Sequence, residues 1–151
     1  MVVYIQMIMI IVFEKWEGNM ARKNFSEKRE AIYSLICNTK IHPSAEWVYN
    51  QLKDVYPNIS LGTVYRNMSM FAEQGLIKSV GTVDGRERFD ANTSPHSHFV
   101  CEECDAIIDL EYLPYNKDLD NSVAVNTGFE VKNHNVFFYG KCRKCRDKNF
   151  S

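Results

Sequence analysis

Between Ser26 and Phe89 apolar residues recur three times at the spacing of a helical face and then at the tighter spacing of strands. Ser26 can cap a helix with Ile32, Leu35 and Ile36 on one side, ending near Asn38. After His42-Pro43, Ser44 is placed as N-cap of a second helix carrying Trp47, Val48 and Leu52. That helix must stop before Pro57, because proline drives the residue ahead of it out of helical conformation. Ser60 caps a third helix with Leu61, Val64, Met68, Phe71 and Ala72 inward, and Gly75 closes it. Leu76 to Val80, a turn at Asp84-Gly85 and Glu87 to Phe89 then read as a small hairpin. Three short helices followed by two strands predict a winged helix-turn-helix.

The polar side of the third helix adds a binding expectation. Ser60 stands at its start, Thr63 and Arg66 lie away from the apolar stripe, and Tyr65 sits at the flank. Recognition helices present this end to the major groove, where an arginine reads guanine and an aromatic or methyl group packs on a thymine methyl. Arg86 and Arg88, on the wing, are placed to meet phosphates. Any one of these residues taken alone reads as a solvated surface side chain; their arrangement on a winged helix is what points to double-stranded DNA.

Metal chemistry begins after the hairpin. His96-Ser97-His98 is followed by Cys101-Glu102-Glu103-Cys104, and a second Cys-x-x-Cys falls at Cys142 and Cys145. Each Cys-x-x-Cys puts two sulfurs on one side of a tight turn, about where two corners of a tetrahedron lie, so the four thiols suit structural zinc. A redox pair or two disulfides are the competing uses, and the absence of an evident cleavable secretory signal weighs against disulfides. The gap from Cys104 to Cys142 exceeds the roughly 15 to 20 residues of a simple zinc ribbon, so the metal would staple distant strands of a small domain. The remaining cysteine, Cys37, falls on an apolar helical face and reads as a buried structural thiol.

Composition divides the chain in the same place. The 151 residues carry a net charge of −1, but residues 20–89 hold 10 Lys and Arg against 7 Asp and Glu, and residues 90–151 hold 7 against 10. A mildly basic half and an acidic, ligand-rich half suit polyanion binding and cation binding respectively. The expected organisation is an N-terminal extension over 1–19, a winged-helix DNA-binding domain over 20–89 and a metal-binding domain over 90–151. Within the extension, the apolar run Val2 to Phe13 is too short to span a bilayer, which takes about 20 residues. An upstream start codon or a segment packed on the body is expected there, with no membrane association and a cytoplasmic protein.

Several of these stretches together resemble the ferric uptake regulator (Fur) family: Leu61-Gly62-Thr63-Val64-Tyr65-Arg66-Asn67, Gly75-Leu76-Ile77, Arg88-Phe89-Asp90, His96-Ser97-His98, both Cys-x-x-Cys pairs and Gly128-Phe129. The resemblance runs from about Ser26 to Cys145. It implies an α+β protein with an N-terminal winged helix-turn-helix domain, a hinge near Asp90 and a small α/β dimerisation domain, acting as a metal-dependent homodimeric repressor on a palindromic operator. Five residues match the regulatory site of the family's peroxide-sensing branch: His42, Asp90, His96, His98 and Asp109. Asp109 bears most on the branch, since iron sensors usually carry glutamate there. His134 matches a histidine of many relatives and is left outside this site. Members usually have a longer N-terminal helix and an Arg-x-Thr-Pro-Gln-Arg stretch before the first core helix, of which Asn24 to Arg29 keeps only the cap and Arg29; without those auxiliary backbone contacts, the salt dependence of DNA binding should be shallower.

Three imidazoles and two carboxylates suit iron(II) or manganese(II) and leave one position open on a six-coordinate ion. Iron(II) would reduce peroxide there and oxidise its own ligands, whereas manganese(II) would do so poorly; the resemblance implies that His42 and His96 are the targets. Singly, His42 reads as a loop residue, His96 and His98 as alternate positions of a strand, Asp90 as a cap and Asp109 as an exposed acid. Two other functions fit the same donors. One is an iron- or zinc-level sensor indifferent to peroxide. The other, more remote, is a metalloenzyme, but no separate general acid, base or substrate motif accompanies the ligands.

Overall fold

The computed structural model describes residues 27–148, so expectations about residues 1–19 and the Ser26 cap lie outside the described residues. The chain divides into two compact units, one through Asn92 and the other from Thr93. Each is built on its own logic.

In the first unit three helices precede a hairpin: α1 (Glu27–Cys37), α2 (Ala45–Leu52), α3 (Leu61–Glu73), β1 (Lys78–Val83) and β2 (Arg86–Asp90). Both serine caps form as expected. Ser44 Oγ accepts from the Trp47 amide at 3.3 Å and Ser60 Oγ from the Thr63 amide at 3.1 Å, each satisfying a donor that the helix start leaves unpaired. The apolar stripes converge as the periodicity requires: Ile32, Ile36, Val48, Val64, Met68 and Phe71 are fully buried, with Ile59 and Ile77 closing the sides and Phe89 entering from β2. Tyr33 of α1 meets Phe71 edge-on at 5.2 Å.

The end of α3 explains where the hairpin begins. Gly75 adopts φ +70, its amide reaches the Ala72 carbonyl at 3.0 Å, and the Leu76 amide reaches Phe71 at 2.9 Å. This is a Schellman turn, and it uses the backbone of Leu76, which the apolar pattern assigns to the strand. The expected strands Leu76 to Val80 and Glu87 to Phe89 are therefore corrected to Lys78–Val83 and Arg86–Asp90. Asp84 and Gly85 both take positive φ, +51 and +69, so a two-residue turn joins the strands with Val83 opposite Arg86. Cys37 is a second correction. It is exposed, because Ile32 and Ile36 take the core side of α1 and the next residue turns about 100° away at the helix end.

The second unit contains β3 (Ser97–Cys101), β4 (Ile107–Leu110), α4 (Lys117–Thr127), β5 (Phe137–Gly140) and α5 (Arg143–Asp147). β3 lies in the middle of its sheet, antiparallel to β4 and parallel to β5. Parallel pairing needs a long connection, which α4 and the segment after it supply by carrying the chain to the other edge of β3. α4 has no buried residue, and Leu119, Val123, Val125 and Phe129 are exposed. The buried apolar set of this unit is small: Val100, Cys101, Ile107 and Cys142. No helix among the described residues is long and apolar enough to cross a membrane.

Gly75→Ala should lower stability by about 1 to 2 kcal/mol, since a Cβ is strained at that φ. Gly62→Ala, inside α3 with only ordinary contacts near the added carbon, should leave stability unchanged or raise it. Urea titrations followed by circular dichroism compare the two.

Candidate metal centres

Four thiols meet at one end of the second sheet because of strand register. β3 and β5 pair in parallel with Cys101 opposite Gly140, which carries Cys142 to the side of Cys101. The Cys142 amide then donates to Cys101 Sγ at 3.3 Å. Cys104 arrives through a tight turn in which Asp105 has φ +56 and its amide bonds the Cys101 carbonyl at 2.9 Å. Cys145 stands one helical turn beyond Cys142, with its amide on the Cys142 carbonyl at 3.0 Å.

The four sulfurs lie within 4.8 Å of one another, and Cys104 and Cys142 are 3.9 Å apart. Sulfurs about 2.3 Å from the centre of a tetrahedron are separated by about 3.8 Å, whereas a disulfide needs about 2.0 Å. The arrangement fits a tetrahedral thiolate site for a soft divalent cation. The Cys142 amide pulls the Cys101 thiol down to about 6. Contacts with Cys104 and then Cys142 push Cys145 up to about 12, as expected when neighbouring sulfurs compete to be ionised without a shared cation.

Of the five residues expected to bind a regulatory metal, two lie in the first unit and three in the second. In the first, His42 and Asp90 are both buried, with His42 Nε2 3.8 Å from Asp90 Oδ2 and the Lys78 ammonium 3.9 Å from the same oxygen. In the second, Asp109 of β4 stands opposite His98 of β3 in register. Its Oδ1 is 3.2 Å from His96 Nε2 and 3.5 Å from His98 Nε2. His96 Nδ1 lies 2.8 Å from the Ser94 carbonyl, so both ring nitrogens face oxygens, while a neutral imidazole has one proton between them. With that proton on Nδ1, the Nε2 lone pair faces a carboxylate lone pair. Such a pair is repulsive unless a proton or metal ion lies between them, and imidazole with carboxylate suits iron or manganese as well as zinc.

The residues expected at DNA are placed unequally. Ser60, Tyr65 and Arg66 are exposed on α3 and Thr63 is half-buried. Thr63 Oγ1 lies 2.9 Å from Ser60 Oγ and accepts from Arg66 Nη2 at 3.2 Å. The Tyr65 hydroxyl donates to the carboxylate of Glu46 on α2, which lowers the Glu46 pKa and raises that of Tyr65. On the wing, Arg86 lies 3.5 Å from Asp84 at the surface, while the Arg88 guanidinium donates to the backbone carbonyls of Ile41 and His42.

Glu46 was not legible as a partner of Tyr65, since nothing local marks an acid on the preceding helix. The same holds for Tyr115 and Asp120 around His134. Asp120 accepts from the Tyr115 hydroxyl and lies 2.7 Å from His134 Nδ1, and the Tyr115 and His134 rings stack at 4.3 Å. His134 thus has partners of its own in the second unit.

A divalent cation entering the four-thiol site must displace protons, so its apparent affinity should fall as pH falls, most steeply below about 6 where Cys101 also protonates. Zinc competition with a chromophoric chelator on either side of that pH measures the slope.

Comparison with known proteins follows the same lines. The model of the ferric uptake regulator family matches residues 21–139. The peroxide-responsive repressor PerR of Staphylococcus aureus is 36% identical over 121 residues, covering 80% of this chain and 81% of that protein. Among solved structures, the Campylobacter jejuni peroxide stress regulator has a TM-score of 0.64 at 28% identity, covering 78% of this chain and 88% of that one. The Vibrio cholerae ferric uptake regulator, described as revealing a rearrangement of its DNA-binding domains, has a TM-score of 0.63 at 27% identity, with 79% and 92% covered. The fold, the clustered donors and these likenesses agree: the chain belongs to the ferric uptake regulator family, and it is a metal-responsive transcriptional repressor rather than an enzyme.

Proposed function

We propose that this protein is a homodimeric repressor that senses hydrogen peroxide through oxidation of its own metal ligands. Zinc is held by Cys101, Cys104, Cys142 and Cys145 and staples a unit whose apolar core is small. His42, Asp90, His96, His98 and Asp109 together hold one iron(II) or manganese(II) ion. The observation that carries this reading is the donor set itself: three imidazoles and two carboxylates, with His96 and His98 directed at one oxygen of Asp109 and His42 beside Asp90. Likeness to the Staphylococcus aureus repressor supports the peroxide branch.

An ion ligated from both units ties the winged helix to the rest of the protein, so that in a dimer two recognition helices meet a palindromic operator at fixed spacing. Ser60, Thr63, Tyr65 and Arg66 serve base and backbone contacts there, and Arg86 and Arg88 flank them on the wing. Iron(II), when bound, supplies the reduction of peroxide that manganese(II) does not. One peroxide would place one oxygen on a ring carbon of His42 or His96, its other oxygen leaving as water, and the oxidised ring would be a poorer donor that releases the ion. The winged helix is then no longer held in the DNA-binding arrangement. Its partner being chromosomal DNA, the protein acts in the cytoplasm.

The test is peptide mass spectrometry of iron(II)-loaded and manganese(II)-loaded protein after a low dose of peroxide, with binding to DNA fragments selected by the manganese form followed in parallel. One added oxygen on His42 or His96, and loss of DNA binding in the iron form alone, are expected. Unmodified histidines with binding that tracks only metal concentration would make it a metal-level sensor. His42→Ala should abolish metal-stimulated DNA binding while leaving zinc content and the dimer intact.

A further inference from the structure

We infer that Arg88 is a positioning residue for the metal ligand His42, an inference that rests on the five-ligand reading above. His42 has φ +51, in the left-handed region that residues with a side chain rarely adopt. It also precedes Pro43, whose ring biases the preceding residue toward extended conformations. Left to local preference, this peptide would open, and the imidazole would swing away from Asp90. Something non-local must hold it.

β2 holds it with three consecutive residues. The Arg88 guanidinium donates through Nε to the His42 carbonyl and through Nη2 to the Ile41 carbonyl, the latter at 2.9 Å. The Phe89 amide donates to the Pro43 carbonyl at 3.1 Å. The Asp90 carboxylate stands 3.8 Å from His42 Nε2. Residues two apart on a strand share a face, so Arg88 and Asp90 approach the loop from the same side, one on its backbone and the other on its ring. The fork matters because two donors in a fixed plane reach two successive carbonyls at once, which the single ammonium of a lysine cannot reproduce. Arg88 thus fixes the carbonyls on both sides of the His42 backbone and sets where the imidazole points.

Arg88→Ala should weaken binding of manganese(II) to the zinc-loaded, DNA-free dimer by roughly 10-fold to 100-fold, the usual range for losing a group that orients a ligand. Arg88→Lys should fall between. Isothermal titration with manganese(II) gives the affinities, and the visible spectrum of cobalt(II) bound in place of manganese(II) reports the ligand set. In Arg88→Ala that spectrum should shift toward that of His42→Ala. The decisive comparison is the double variant: if Arg88 acts through His42, His42→Ala with Arg88→Ala should bind manganese(II) no more weakly than His42→Ala alone. Losses that multiply, or an Arg88→Ala variant with wild-type affinity and spectrum, would overturn the inference while His42→Ala still binds weakly. Equal affinity in wild type and His42→Ala would instead defeat the five-ligand reading, and this inference with it. Should Arg88→Ala unfold, Arg88→Lys against wild type and against its own double variant makes the same comparison.

Discussion

Donor atoms crowd together at two places among the described residues, and neither cluster is favourable until protons or a metal ion lie between its atoms. Four sulfurs gathered within 4.8 Å are one case, and the His96 and His98 nitrogens directed at one oxygen of Asp109 are the other. The backbone is built to enforce both. Parallel register between β3 and β5 places Cys142 beside Cys101, and antiparallel register between β3 and β4 places Asp109 opposite His98. With so few apolar side chains buried in the second unit, a thiolate-bound ion supplies the crosslink that a larger core would otherwise provide.

The first unit obeys a different constraint. Its helices bury a continuous apolar cluster. What needs support is a single loop, where His42 adopts a conformation that local preference disfavours and β2 imposes by Arg88, Phe89 and Asp90. On the proposed reading, the winged helix contributes a ligand from this constrained loop. A ligand held this way presents its ring with little freedom left to lose, which favours binding.

Features written in local chemistry were legible in advance. Ser44 and Ser60 cap where a polar oxygen precedes an apolar stripe, and Asp84-Gly85 turns the hairpin because both residues tolerate positive φ. The Cys-x-x-Cys pairs announced their cluster by spacing alone. Strand limits were less visible, since Leu76 and Ile77 look like strand residues while the backbone of Leu76 completes the turn that ends α3. Cys37 misled for a similar reason, being one position past the last core residue of its helix. Some long-range pairings left no trace. Glu46 with Tyr65, Arg88 with the Ile41 and His42 carbonyls, and Asp120 with His134 join residues far apart in the chain, where no periodicity or spacing rule applies.

Anomalous diffraction from crystals of the manganese(II)-loaded dimer most directly tests whether donors of the two units serve one ion. The account predicts one manganese peak per subunit within coordination distance of His42, Asp90, His96, His98 and Asp109, separate from zinc among the four cysteines. Manganese ligated by residues of one unit alone, or seated at Asp120 and His134, would contradict it.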